Sequence, residues 1–211
     1  MSEYELRVDA TVIIVGGGPT GLSLALGLAR HGVQSLVLER NLETVKESRA
    51  VVIWPRTQEI LRDWFALDAL KQVGRFVTKM YATNARNEQP LLAIDWGVVN
   101  DVVDTPGALL LPQHVTETVL RELVRLHPLC ELRTGATVSA LSQDAERVEV
   151  TYAASDGQHS IHGRYAVGCD GSHGIVRHAL GLSLQRLRQN RREPRPAFPI
   201  NTPRRLAIPI T

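Results

Sequence analysis

The 211-residue sequence predicts an α/β fold, with a parallel βαβ unit near the amino terminus and an antiparallel β-meander further on. Three observations carry this. "TVIIVG" (11–16) is a short β-branched run ended by glycine, the pattern of a strand buried on both faces. Pro19–His31 places Leu22, Leu26 and Ala29 at helical spacing and closes on Gly32, after which "SLVLE" (35–39) reads as a second buried strand. Val138–Leu141, Val148–Ala154 and Ile161–Val167 are three strand-like runs separated by the polar turns "SQDAER" and "SDGQ".

The remaining elements follow in chain order. Arg40–Ile53 has no periodicity and reads as a long loop. Pro55–Trp64 is a helix with proline at its start, where the missing N–H is harmless. Thr78–Arg86 and Leu91–Trp96 alternate as strands, and Asn100–Leu111 is loop-like. Gln113–Leu126 is an amphipathic helix with Val119, Leu120, Leu123 and Leu126 on one side. Glu131–Arg133 returns as a short strand. "GCDGSHGIVRHALG" reads as a strand end, a tight turn and a helix from about Ser172 to Leu180.

Bulk properties narrow the function classes. Hydrophobic residues make up 44% and charged residues 22%, ordinary for a soluble globular protein. A formal net charge of +2 gives no reason to expect nucleic acid or a membrane as partner. No apolar run approaches the ~20 residues of a membrane span, and the acidic, polar "MSEYELRVDA" is not a signal peptide. Cys130 and Cys169 stand far apart without a C-x-x-C pair, which argues against a disulfide framework and for a cytoplasmic location. His159, His162, His173 and His178 lack metal-ligand spacing, so no metal is expected. Trp54, Trp64 and Trp96 read as core or surface residues.

The informative motif is Gly16, Gly18 and Gly21, a G-x-G-x-x-G between a strand and a helix, with Pro19 and Thr20 in the same turn. The first glycine permits the tight turn, the second lets backbone approach a pyrophosphate, and the third lets helix lie close to strand. The pyrophosphate then meets the free N–H groups and positive dipole end of the helix. Glu39 follows Gly21 by eighteen positions at the end of the second strand. Its carboxylate can accept from both ribose hydroxyls and would repel a 2′-phosphate, so the site suits FAD or NAD rather than NADP. No G-K-[ST] ending supports a nucleoside-triphosphate loop.

Between FAD and NAD the fingerprint is neutral. The set "VIIVGGGPTGLSLALGLARHGV", "VLER", "SRAVVIWPRTQEIL", "LPQHVTETVLREL" and "AVGCDGSHGIVRHALGL" resembles, in order, the flavin-dependent aromatic hydroxylases of the p-hydroxybenzoate hydroxylase type. The resemblance covers residues ~11–184. It implies a Rossmann-like FAD-binding fold with part of a second, substrate-binding sheet at about 75–112. It also implies NAD(P)H as a transient co-substrate, and O2 inserted into a small aromatic, phenolic substrate through a flavin C4a-hydroperoxide. Carried over by residue, Gly16, Gly18 and Gly21 match the pyrophosphate loop and Glu39 the ribose acid. Arg40 matches a residue beside the adenine, and Arg49 an arginine reaching the FAD phosphates. Gln113 matches a glutamine near the ribityl chain, and Asp170 and Gly171 a motif tied to FAD and reduced nicotinamide. Without the resemblance, Arg49 is a loop charge, Gln113 a helix N-terminal residue, Asp170 a turn and cap residue, and Arg177 a structural ion-pair partner. No residue stands out as a catalytic acid or base, and nothing sets the oligomeric state.

From Gln185 the character changes. Residues 185–211 hold seven arginines and five prolines but no lysine or aspartate. A disordered tail is expected there, after an FAD-binding domain at 1–184. Such a composition is also what an out-of-frame reading of GC-rich DNA yields, which would make the chain the amino-terminal part of a hydroxylase. Two other readings stay open: a related flavin reductase or dehydrogenase, and an FAD-binding remnant without hydroxylase activity.

Overall fold

The computed structural model describes residues 9–44, 51–83, 90–99, 105–172 and 174–183. The first three elements are β1 (Ala10–Val15), α1 (Pro19–Arg30) and β2 (Ser35–Glu39). β1 and β2 run parallel, with Val12 opposite Ser35 and Val15 opposite Leu38. α1 closes where Gly32 turns to φ +73. The Gly32 and Val33 N–H groups then donate back to the Ala29 and Leu28 carbonyls, the glycine-closed helix end that the sequence pattern implies.

Four more strands complete the main sheet: β8 (Cys130–Thr134), β9 (Thr137–Gln143), β10 (Val148–Ala154) and β11 (Gly157–Gly168). The order is β8-β2-β1-β11-β10-β9. β8 is parallel to β2 and β11 to β1, whereas β9, β10 and β11 pair antiparallel. β8 and β9 stand at opposite ends of this order, yet only Gly135 and Ala136 separate them in the chain. The sheet therefore folds over itself. The fold line is in β11: its first half, from Gly157, pairs with β10 and its second half with β1, and Gly163 belongs to both registers. A side chain at Gly163 would lie 2.9 Å from Ile13 Cδ1 and Cγ1, so the corner admits only glycine at this packing.

The result is three layers. On one face of the parallel strands, Ile13, Leu36 and Leu38 pack against Val150, Tyr152 and Ile161 of the meander. On the other, Val12, Ile14 and Val37 pack against Leu22, Ala25 and Leu26 of α1 and Leu120 and Val124 of α4 (Gln113–Leu126). Strand residues alternate between the two cores because successive side chains point to opposite faces. Leu61 of α2 (Pro55–Asp63) and Leu67 and Leu70 of α3 (Leu67–Val73) extend the helical core. Trp64 lies over α1 at Gly27, and Trp54 and Trp96 meet at 5.7 Å.

The segment between α1–β2 and α4 is richer than its sequence suggests. β3 (Val52–Ile53), β4 (Arg75–Val77) and β7 (Ala108–Leu110) form a small antiparallel sheet ordered β3-β7-β4. β5 (Lys79–Thr83) and β6 (Pro90–Asp95) form a hairpin. Sequence reading placed β3 and β7 in loops and did not separate β4 or α3. These are two- to seven-residue pieces without a period, held by partners far away in the chain. Gln58, fully buried, shows how: its Nε2 donates to the Ile53 and Gly107 carbonyls, both at 2.8 Å. α5 (Ile175–Ala179) is shorter than expected. On α4 the buried face is also turned from the expected one, since Leu126 is 80% exposed while Glu117 and Arg121 are buried. Arg49, His173 and the whole of 185–211 lie outside the described residues.

Two outcomes follow for stability. Gly163→Val should lower stability by about 1–3 kcal/mol, the usual range for overpacking, read as a shift in denaturant midpoint. The second concerns acid. Asp144 accepts from the Glu146 and Arg147 N–H groups in the β9–β10 turn, which holds its carboxyl below the usual carboxylate range. A depressed folded value contributes stability that is present above the unfolded value and is lost as pH falls through the folded one. Asp144→Ala should therefore flatten the acid limb of the stability–pH curve while leaving the fold intact at neutral pH.

Candidate dinucleotide-binding site

β1, β2 and β11 are parallel neighbours, so their carboxyl ends share one edge of the sheet. The three sequence-predicted groups sit there: Gly16 follows β1, Glu39 ends β2, and Asp170-Gly171 follows β11. Ligands of open parallel sheets bind outside this edge, where helix N-termini also point. The first and third turns touch. Cys169 N–H donates to the Val15 carbonyl at 2.7 Å. A Cβ on Gly16, which holds φ +110, would run into the Cys169 carbonyl and lie 2.9 Å from Asp170 N.

The three glycines divide the work. A Cβ on Gly21 would collide with the Gly16 carbonyl and come within 3.2 Å of Ile14 Cγ2, so this glycine sets the helix against the strand. A Cβ on Gly18 would meet nothing within 4 Å. Gly18 is the N-cap of α1 and offers no side chain to its N–H groups; Pro19 opens the helix, and the first turn carries no acid. Gly18 thus stands at the positive end of a twelve-residue helix whose first turn has no side-chain cap.

Glu39 is buried at 7% exposure. Its Oε2 accepts from Gly17 N–H at 2.6 Å and its Oε1 from Asn41 N–H at 2.8 Å. Each oxygen retains a lone pair for a further donor. Sequence reasoning missed Gly17 and Asn41. Gly17 is tightly placed too, since a Cβ there would lie 2.7 Å from Glu39 Cβ. The signal was present in "GGG", but three consecutive glycines do not announce which of them faces the acid. Arg40, next in the chain, is exposed.

Gln113 is the first residue of α4 after Pro112, and its Nε2 donates to Glu117 Oε1 at 2.8 Å. α4 is tied to the segment after β2 by Arg121 Nη1 donating to the Leu42 carbonyl at 3.2 Å and by the Thr44–Thr118 hydroxyl pair at 3.4 Å. Asp170 accepts from Val176 N–H at 3.3 Å, so its carboxylate caps α5. Arg177 braces the same turn by donating to the Ser172 and Leu182 carbonyls, and among the described residues it forms no ion pair. Burial pushes the Cys169 thiol up, helped by the Asp170 charge, and burial also raises Cys130; neither is poised as a nucleophile.

A family model described as "FAD binding domain" matches residues 9–193. The chain belongs to this FAD-binding family. It is 39% identical over 184 residues to an anhydrotetracycline monooxygenase of Streptomyces rimosus, covering 85% of this chain and 34% of that protein. Among solved structures it resembles the p-nitrophenol 4-monooxygenase of Pseudomonas putida, with a TM-score of 0.78, 29% identity, and coverage of 84% of this chain and 45% of the other. It also resembles a flavin-dependent monooxygenase, PieE, solved in complex with FAD and substrate, with a TM-score of 0.74, 28% identity, and coverage of 85% and 33%. The chain spans about a third of the length of the curated relatives it matches. No helix among the described residues is long and apolar enough to cross a membrane.

The glycine geometry of this FAD-binding domain separates folding from binding. Gly21→Ala should cost about 1–3 kcal/mol through steric conflict. Gly18→Ala should stay within about 0.5 kcal/mol, because the added methyl enters open space. Chemical denaturation of the two variants beside the parent checks both.

Proposed function

We propose that the chain holds FAD with its adenosine diphosphate along the shared carboxyl edge, as the amino-terminal part of an aromatic hydroxylase. The observation that carries this is the open space over Gly18, at the uncapped start of α1, with Glu39 held by the neighbouring Gly17 N–H. In this reading the Gly16–Gly21 turn receives the pyrophosphate. Glu39, fixed by Gly17 and Asn41, accepts from the adenosine ribose hydroxyls. Arg40 lies beside the adenine, Arg49 neutralises phosphate, Gln113 meets the ribityl end, and the Asp170-Gly171 turn closes over the cofactor. When bound, FAD supplies hydride acceptance from NAD(P)H and activation of O2 for insertion into a phenolic ring. The protein's own share is to orient the cofactor and keep water from it.

The β5–β6 hairpin leaves Tyr81 63% and Leu92 54% exposed. We assign it to the substrate-side sheet spanning about 75–112, where these side chains would wall the aromatic pocket. A cytoplasmic setting fits Cys130 and Cys169, which are free and half-buried thiols. Because the chain spans only about a third of its relatives, hydroxylation is assigned to the whole protein. For residues 1–211 alone, FAD binding without coupled hydroxylation is the expected behaviour. Any NAD(P)H oxidation should then end in H2O2.

The test is titration of the purified chain with FAD and with NAD, followed by Glu39→Ala. FAD should bind the more tightly. The variant should lose about 1.5–3 kcal/mol of binding for each charge-assisted hydrogen bond removed. Tighter binding of NAD, or an unchanged affinity in Glu39→Ala, would refute the assignment.

A further inference from the structure

α4 carries a feature that packing does not require. Gln113, Glu117 and Arg121 recur at four-residue intervals, so they share one face of the helix. Glu117 is 9% and Arg121 5% exposed. Burying a carboxylate and a guanidinium is weak as a source of stability, because taking each charge out of water carries a desolvation cost. The adjoining positions Leu120 and Val124 already supply the apolar contact with the sheet and α1. Among the described residues Arg121 Nε is buried without a partner, a further sign that the stripe is not optimised for stability alone.

One end of the stripe reaches Gln113, a residue of the proposed FAD site, and the other the segment that follows Glu39. At one end, Glu117 Oε1 accepts from Gln113 Nε2 at 2.8 Å. A carboxylate can only accept, so it dictates which end of the Gln113 amide faces it and which end turns away. At the other end, Arg121 Nη1 donates to the Leu42 carbonyl at 3.2 Å, three residues after Glu39. Leu42 is itself 72% exposed, although a Cβ on Gly135 would lie 2.9 Å from its Cδ2. This stretch of backbone is therefore held largely by hydrogen bonds: Arg121 donates to the Leu42 carbonyl, the Thr44 hydroxyl to Thr118, whose own proton goes to the His114 carbonyl, and Asn41 N–H to Glu39.

We propose that Glu117 and Arg121 are positioning residues for FAD: Glu117 sets the orientation of the Gln113 amide, and Arg121 clamps the segment that follows the ribose acid. The inference rests on the FAD reading above and deepens it, since it divides α4 between the two ends of the cofactor. Gln113 serves the ribityl end and Leu42 the adenosine end, so the two residues affect different parts of the ligand. ADP reports the adenosine end alone; FAD reports both.

The experiment compares FAD and ADP affinities, with thermal melts, for the 211-residue chain and the variants Glu117→Gln, Arg121→Met and Arg121→Lys. Glu117→Gln should weaken FAD roughly five- to tenfold, the scale of one hydrogen bond, with ADP unchanged. Arg121→Met should weaken both ligands by a similar factor, and Arg121→Lys should recover much of that loss because lysine still donates to the Leu42 carbonyl. If Glu117→Gln leaves FAD affinity at the parent value, or weakens ADP and FAD equally along with the melting temperature, the positioning role is overturned while the FAD site stands. If Arg121→Lys binds no better than Arg121→Met, the clamp is overturned. If the parent chain binds neither ligand, the FAD reading fails and takes this inference with it.

Discussion

Everything at the shared carboxyl edge of β1, β2 and β11 depends on one close approach, the Gly16 backbone against the Cys169 carbonyl. The Val15–Cys169 hydrogen bond at 2.7 Å holds the two turns together, and the absence of a side chain at Gly16 lets them touch. Any Cβ there would push β11 away from β1 at the point where the parallel pairing ends. Gly21, packed onto the Gly16 carbonyl, transmits the same constraint to α1. The turn, the helix and the Asp170-Gly171 loop are therefore fixed together. Gly18, at the start of a helix without a side-chain cap, is left with open space above it.

The folding of the sheet onto itself explains why this edge is rigid. Parallel strands need cover on both faces, and here the two covers are of different kinds. Helices α1 and α4 cover one face, and the meander covers the other. A single strand, β11, belongs to both layers and turns its corner at Gly163. The strand that delivers Asp170 to the site is thus anchored over twelve residues before it arrives. Short loops can then carry the site without local support of their own, which suits a ligand that must be held at several points along an extended molecule.

The polar groups divide into those that hold the protein and those left for a ligand. Asp170 spends a carboxylate oxygen on α5, Arg177 braces the same turn, and Glu39 has one oxygen on each of two backbone N–H groups. Glu39 is held by two backbone donors and still has accepting capacity at the edge. In the proposed FAD site its selectivity would be electrostatic, a buried carboxylate favouring a ribose diol over a 2′-phosphate. The buried charges of α4 add a second tier, since they contact protein groups that lie next to the site.

Much of this was written in local sequence. The G-x-G-x-x-G turn, the strand before it, the helix after it and Glu39 at the end of the next strand are short-range patterns, and the structure reproduces Ser35–Glu39 and Gln113–Leu126 at their expected bounds. The meander was legible because polar turns separate alternating runs. The small sheet β3-β7-β4 and the α3 helix were not, because strands of two or three residues have no period and exist only through distant partners such as Gln58. Nor could the sequence reveal that β11 pairs on both sides of a corner, that Gly17 rather than another glycine binds Glu39, or that α4 buries Glu117 and Arg121 while exposing Leu126. By itself the sequence determined the local elements and the glycine turn between β1 and α1, because hydrophobic period and glycine spacing act within a few residues. Only the tertiary structure decided which side chains share a face and which backbone donors each acid meets, because those depend on strand register and layer packing between residues far apart in the chain.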